Sequence, residues 1–186
     1  MKKLHNGVQM PKLGLGTFII KDGVDCYQSV RYALDIGYRH IDTAQGYQNE
    51  ASVGKAIKDS HIAREDIFIT TKQKGHSTKE NMEKAFETSL KNLGVDYIDL
   101  YLIHWPNHDL KINQQTWAFF ETLYAQKKVR AIGVSNFQRH QLDDLLKTAK
   151  IKPMVNQVEL HPGLSQVPLK AYLDRLEIAI ESYGPL

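Results

Sequence analysis

The chain has 186 residues, 42% apolar and 24% charged, enough for one domain with a real core and an ordinary balance for a soluble globular protein. Its net charge of +3 comes from scattered basic residues with no stripe or run, which argues against a nucleic-acid partner. The single cysteine, Cys26, excludes an internal disulfide, and no apolar run approaches a transmembrane helix or follows Lys2-Lys3 as a leader would, so a soluble, cytoplasmic chain with no membrane partner is expected.

Asn6-Gly7 between Lys3-Leu4 and Val8-Gln9-Met10 reads as the two-residue turn of an N-terminal β-hairpin. A strand–helix alternation then begins. Lys12 to Thr17 is a first strand and Val24 to Ile36 a helix that Gly37 stops; Cys26 inside it reads as a packed apolar residue. Arg39 to Asp42 is a strand, Glu50 to Lys58 a helix, and Asp66 to Lys72 a strand. Ser77 to Leu93 is the clearest helix, with Ser77 and Glu80 as a capping box and Gly94 at its end. Tyr97 to Ile103 is a nearly continuous apolar strand, as a strand buried on both faces requires. Gln114 to Ala125 (helix), Val129 to Val134 (strand), Gln138 to Ala149 (helix) and Met154 to Glu159 (strand) follow. Pro168 to Leu176 is a helix and Glu177 to Tyr183 a seventh strand.

Strand–helix units of roughly 25–35 residues imply a parallel α/β sheet. In a doubly wound sheet the first strand is usually followed by a phosphate-binding glycine loop, but Gly14-Leu15-Gly16-Thr17-Phe18 carries only half of that fingerprint. A parallel (β/α)8 barrel places its chemistry on the carboxyl ends of several strands. That distribution is present: Asp42 and then Tyr47 after the second strand, Lys72 closing the third, and His104 closing the fourth. The barrel is the expected fold, with about seven of its eight strand–helix units readable and the eighth strand missing.

Those four groups suit proton transfer to a carbonyl oxygen. A phenol can donate the proton; a neighbouring ammonium is expected to lower its pKa; a carboxylate anchors the ammonium; an imidazole orients the carbonyl and donates a second hydrogen bond. Tyr47 is thus the candidate general acid, Lys72 its partner, Asp42 the anchor and His104 the orienter. Proton donation is half of a reduction. The hydride must come from a nicotinamide cofactor, because no side chain supplies one. Ser135, Asn136 and Gln157 on later strands can bond a carboxamide, Tyr183 can stack on the ring, and Trp105-Pro106 can wall a substrate. Taken singly, each group has a plainer use: Asp42 in a turn, Ser135-Asn136 as a helix cap, Tyr183 and Trp105 as packing. The joint placement at one set of strand ends carries the argument. A metal has no support in the histidine spacing.

These motifs resemble the aldo-keto reductase superfamily. The matching segments are Gly14 to Phe18, Asp42-Thr43-Ala44 with Tyr47 to Glu50, Thr71-Lys72, Leu90 to Pro106, Val129 to Phe137, Pro153 to Pro162 and Tyr183 to Leu186. The bacterial branch of diketogluconate and aldehyde reductases is the most similar. The resemblance implies NADPH-dependent reduction of small aldehydes and ketones, with NADH left open. It sets Asp42, Tyr47, Lys72 and His104 as the catalytic tetrad. It sets Ser135, Asn136, Gln157 and Tyr183 against the nicotinamide, with Gly16, Thr17, Asp42 and Leu186 also along the cofactor. Phe18 and Trp105 would face the substrate with Tyr47 and His104. Gln73-Lys74 stands where the family usually has an aromatic-Asn pair, and Gly184 where it usually has serine.

The resemblance also implies a longer chain, so residues 1–186 are expected to form a single barrel domain lacking its C-terminal portion. Weakened cofactor grip, low turnover and self-association through open barrel edges are the corresponding expectations. An inactive fragment and a nucleotide-binding regulatory subunit are the alternative functions.

Overall fold

A computed structural model describes residues 1–75 and 78–185. Ser77, expected to cap a helix, and Leu186, expected along the cofactor, lie outside the described residues. The N-terminal hairpin pairs β1 (Lys2–Lys3) antiparallel with β2 (Gln9–Met10). Its connection is longer than the expected two-residue turn. Leu4 N donates to Val8 O and Gly7 N to Leu4 O, each at 2.9 Å, and Gly7 takes φ 92°. The result is a loop of three residues closed by a left-handed glycine, and the Asn6 side chain supports it by accepting from Val8 N at 3.2 Å.

The strand–helix alternation holds throughout. Strands β3 (Leu15–Gly16), β4 (His40–Asp42), β5 (Phe68–Gln73), β6 (Ile98–Ile103), β7 (Val129–Ser135), β8 (Val155–Glu159) and β9 (Ala179–Tyr183) form one parallel sheet in chain order. Between them run α1 (Val24–Asp35), α2 (Glu50–Asp59), α3 (Lys79–Leu93), α4 (Leu110–Ala125), α5 (Arg139–Leu145) and α6 (Val167–Arg175). Strand β8 lies four places from β4, which in a flat sheet is about 19 Å. Yet Gln157 Nε2 on β8 donates to Asp42 Oδ2 on β4 at 2.8 Å. The sheet therefore curls until its inner side chains meet, which is the parallel barrel and not the doubly wound alternative. Among the described residues it has seven strands, as expected.

Most elements fall within a few residues of their expected bounds, and the starts of α3 and α4 are set by local caps. The first strand shrinks to Leu15–Gly16. Helix α3 begins at Lys79, with the Thr78 side chain accepting from Asn81 N. Helix α4 starts a turn before Gln114, because Asp109 accepts from Lys111 N at 3.0 Å and Asn113 ties back to Asn107 N and O at 2.7 and 3.0 Å. Helix α5 ends at Leu145, short of Ala149.

The helices pack their apolar stripes on the outer sheet face. Tyr101 of β6, fully buried, stacks on Phe120 of α4 at 4.5 Å and meets Phe86 of α3 edge-on at 5.1 Å. Helix α2 passes so close to the end of α3 that a Cβ on Gly54 would lie 2.4 Å from Leu93 O. At the amino-terminal end of β6, fully buried Asp99 accepts from Arg64 at 2.6 Å, Arg130 at 2.7 Å and Ile69 N at 2.9 Å. That end is a stability feature; the opposite end carries the candidate chemistry. No helix among the described residues is long and apolar enough to cross a membrane.

Candidate active site

The carboxyl ends of β4, β5 and β6 bring Asp42, Lys72 and His104 together, and a single 3-10 turn, Gln45–Tyr47, adds the phenol. Lys72 is the centre: its side chain is 1% exposed. Its Nζ donates to Asp42 Oδ1, to Thr43 O at 3.1 Å and toward Tyr47 Oη at 3.5 Å. The His104 ring stands edge-on to Tyr47, 5.5 Å between centroids. The four groups expected to act together are therefore neighbours. Phe18 joins them, its ring 5.2 Å from that of Tyr47, while Trp105 stands 59% exposed at the rim.

The scaffold that holds Tyr47 comes from neighbours the sequence reading left without a role. Gln45 Nε2 donates to Ala85 O at 3.2 Å, Ser89 Oγ at 3.0 Å and Tyr101 Oη at 3.0 Å. Its Oε1 accepts from Lys74 N at 2.8 Å, so the turn is bolted to α3, β6 and the segment after β5. Asn49, fully buried, accepts from Thr43 Oγ1 at 2.8 Å and Thr17 Oγ1 at 3.3 Å, and donates to Thr17 O and Ile20 O at 2.9 and 3.0 Å. It thereby fixes the β3–α1 loop that carries Phe18. Glu50 accepts from Thr71 Oγ1 at 2.7 Å, beside Lys72. The available signal was residue type: amide side chains flanking a tyrosine in a turn between apolar elements have backbone and hydroxyl partners to satisfy.

The electrostatics keep three of the groups in defined states. Burial alone would lower the Lys72 pKa, but the carboxylate of Asp42 and the Tyr47 oxygen outweigh it, and the pKa lies above the ordinary lysine value. His104 is pushed down to about 4, first by burial and then by the Lys72 charge, so it is a neutral imidazole at pH 7. Tyr47 departs from expectation. Burial raises its pKa, and Lys72, which pulls the other way, does not cancel that because Asp42 offsets much of the ammonium's field. The phenol is therefore fully protonated at neutral pH.

The residues expected to bed a cofactor ring the same mouth. Tyr183 Oη donates to Asn136 Oδ1 at 2.9 Å, and Asn136 Nδ2 donates to His104 O at 3.0 Å, joining β9, β7 and the end of β6. Ser135 Oγ donates to Gln157 O at 3.0 Å, and Gln157 Nε2 reaches Asp42. Ser135-Asn136 do not cap α5, whose N-cap is Gln138. Gly16 is exposed at this rim, whereas Thr17 is fully buried with its hydroxyl on Asn49.

Residues 12–186 match the model of the Aldo/keto reductase family. A glyoxal reductase of Bacillus subtilis is 52% identical over 188 aligned positions that cover 99% of this chain and 66% of that protein. A 9,11-endoperoxide prostaglandin H2 reductase of Trypanosoma cruzi is 50% identical, with 98% of this chain and 64% of that protein covered. The crystal structure of an aldo/keto reductase from Brucella melitensis superposes with a TM-score of 0.95 at 45% identity, covering 99% of this chain and 72% of that one. A Bombyx mori aldo-keto reductase in complex with NADP superposes with a TM-score of 0.90 at 35% identity, covering 98% and 65%. The chain thus spans about two thirds of the length of these relatives (66% and 64% of the first two). On its matched residues, its barrel and its strand-end site, the chain belongs to the aldo/keto reductase family.

Proposed function

We propose that this chain, as one barrel-type domain, reduces small aldehydes and ketones to alcohols with NADPH. The observation that carries the reading is the buried Lys72 ammonium, held between Asp42 and the Tyr47 hydroxyl in the barrel mouth, with a neutral imidazole 5.5 Å from the Tyr47 ring. A carbonyl oxygen placed between Tyr47 Oη and His104 takes a hydrogen bond from each. Tyr47 then delivers the proton as negative charge grows on that oxygen. Lys72 stabilises the phenolate left behind, and Asp42 holds Lys72 in place. The raised pKa of the free phenol sharpens this role: Lys72 acts on the developing phenolate rather than on the resting acid.

The bound cofactor supplies the hydride. The donor set fits a nicotinamide: a serine hydroxyl, the Asn136 and Gln157 amides, and a tyrosine ring tethered by its own hydroxyl lie at adjacent strand ends. Relatives named for reducing glyoxal and methylglyoxal, from Bacillus subtilis and Yersinia pestis, make small 2-oxoaldehydes the first substrates to test. The test follows loss of NADPH absorbance with methylglyoxal and identifies the product. Reduction to hydroxyacetone or lactaldehyde supports the reading; no NADPH loss across a panel of aldehydes overturns it.

A further inference from the structure

Below the site, the barrel interior holds a second carboxylate that the proposed chemistry does not use. Glu181 lies on β9 opposite Gln157. Its side chain is 15% exposed, and its Oε2 is buried with no hydrogen-bond partner. Its Oε1 stands 3.8 Å from His40 Nε2. His40 is two residues before Asp42 on β4 and so points to the same inner face, roughly 6.6 Å lower. Its ring is clamped: Nε2 is 2.8 Å from Thr70 Oγ1, Phe68 packs on it edge-on at 4.9 Å, and a Cβ on Gly14 would lie 2.9 Å from its Nδ1. With its Oε2 unpartnered, rotation of Glu181 would close the remaining gap to the imidazole, against the pull of the Gln157 amide on the same carboxylate.

The charges around it make the proton count matter. Glu181 faces His40 and Asp42 from β4, Lys72 from β5 and Gln157 from β8. Lys72 already balances Asp42. An ionised Glu181 beside a neutral His40 would leave the interior one negative charge in excess, close to Lys72. Burial, and to a lesser extent Asp42, raise the Glu181 pKa against the opposing pull of His40 and Lys72. Tyr47, in turn, faces Lys72, Asp42 and His104, and feels any charge that competes for Lys72.

We propose that Glu181 and His40 are positioning residues that share one proton beneath the tetrad, keeping the barrel interior neutral so that Lys72 remains free to stabilise the Tyr47 phenolate. The inference rests on Tyr47 as the proton donor. The pair is neutral while the proton rests on the carboxyl, the form that burial favours. Once that proton leaves, the new carboxylate draws on the Lys72 field and Tyr47 becomes a weaker acid.

Two titrations of the full chain test this without turnover. Carboxyl carbon-13 NMR follows Glu181, assigned by its loss in Glu181→Gln, in the wild type and in His40→Gln. Ultraviolet difference titration against Tyr47→Phe follows the Tyr47 phenol in the wild type and in Glu181→Gln. Glu181 should lose its proton well above the roughly 4.3 of a free glutamate. Its midpoint should rise further in His40→Gln, and the Tyr47 midpoint should fall by about one unit in Glu181→Gln. A Glu181 midpoint at the free value in the wild type overturns the proposal; should Glu181→Gln not fold, loss of the resonance in Glu181→Asp assigns it instead. An unmoved Tyr47 midpoint in a folded Glu181→Gln chain overturns it too, since a merely structural glutamate would change stability and leave that midpoint in place. Absence of reductase activity leaves both readouts standing. Activity that depends on Tyr47, with an unmoved Tyr47 midpoint, rejects the pair and keeps the reductase.

Discussion

Lys72→Met removes the cation at the centre of the site while keeping the length and most of the volume of the side chain. Lys72 is 1% exposed and its Asp42 partner 13% exposed, so the variant leaves a largely buried carboxylate whose remaining side-chain donor is Gln157 Nε2 at 2.8 Å. Breaking a buried pair from one side costs about 3–5 kcal/mol, and the retained Gln157 bond and partial access to water put this case at about 3. That is a loss of about 10²-fold in the folding equilibrium. Asp42→Asn in the same chain removes the orphaned charge, so the double variant should recover to a loss of about 1–2 kcal/mol, far from the sum of the single changes. Urea unfolding at pH 7.5, followed by circular dichroism with the m-value checked for constancy, reads each number. A Lys72→Met chain within about 1 kcal/mol of wild type, or additive single losses, would refute the buried pair as the organising charge of the site.

Three further outcomes follow from particular contacts. Gly54→Ala should destabilise by about 2 kcal/mol or more, because its Cβ would meet Leu93 O at 2.4 Å and α2 must move off α3; an unchanged Tm contradicts that packing. Asn49→Ala strands Thr43, Thr17 and the Ile20 carbonyl and should cost about 2–4 kcal/mol, with faster amide exchange over 17–20 as the local sign. For His104, the folded pKa of about 4 lies below the roughly 6.5 of an unfolded histidine, so the unfolded chain takes the proton first. Stability is then lost as pH falls from about 6.5 toward 4, by about 1–2 kcal/mol once partial exposure is allowed for, and His104→Gln should flatten that slope. Ring nitrogen-15 titration that finds His104 protonating near 6.5 would contradict the neutral imidazole.

What the chain discloses by itself depends on the range of the interaction. The alternation of strand and helix is local, so β6 as a nearly all-apolar strand and α3 as a long helix are readable directly, although the cap is Thr78 and not the expected Ser77. The clustering of Asp42, Tyr47, Lys72 and His104 is readable because each ends or follows a strand, and parallel strands present their carboxyl ends together. Side-chain partners set by barrel closure are not. Asp42 and Gln157 are 115 residues apart and meet through curvature that no local pattern records. The same curvature brings Glu181 to His40. The direction of the Tyr47 pKa was also beyond the sequence, because it depends on how far burial and Asp42 together outweigh Lys72. Gln45 and Asn49 show the intermediate case: their type marked them as groups needing partners, but the partners sit on α3, β6 and the β3–α1 loop.

The central claim is that Tyr47 gives the proton that completes carbonyl reduction. Its most direct test compares NADPH-dependent reduction of methylglyoxal by the wild-type chain and by Tyr47→Phe, at matched cofactor saturation and with equal circular dichroism. The account predicts turnover by the wild type and a loss of at least about 10²-fold in the variant, the scale of a general acid. Equal rates in the two chains, or no reduction by the wild type, would contradict it.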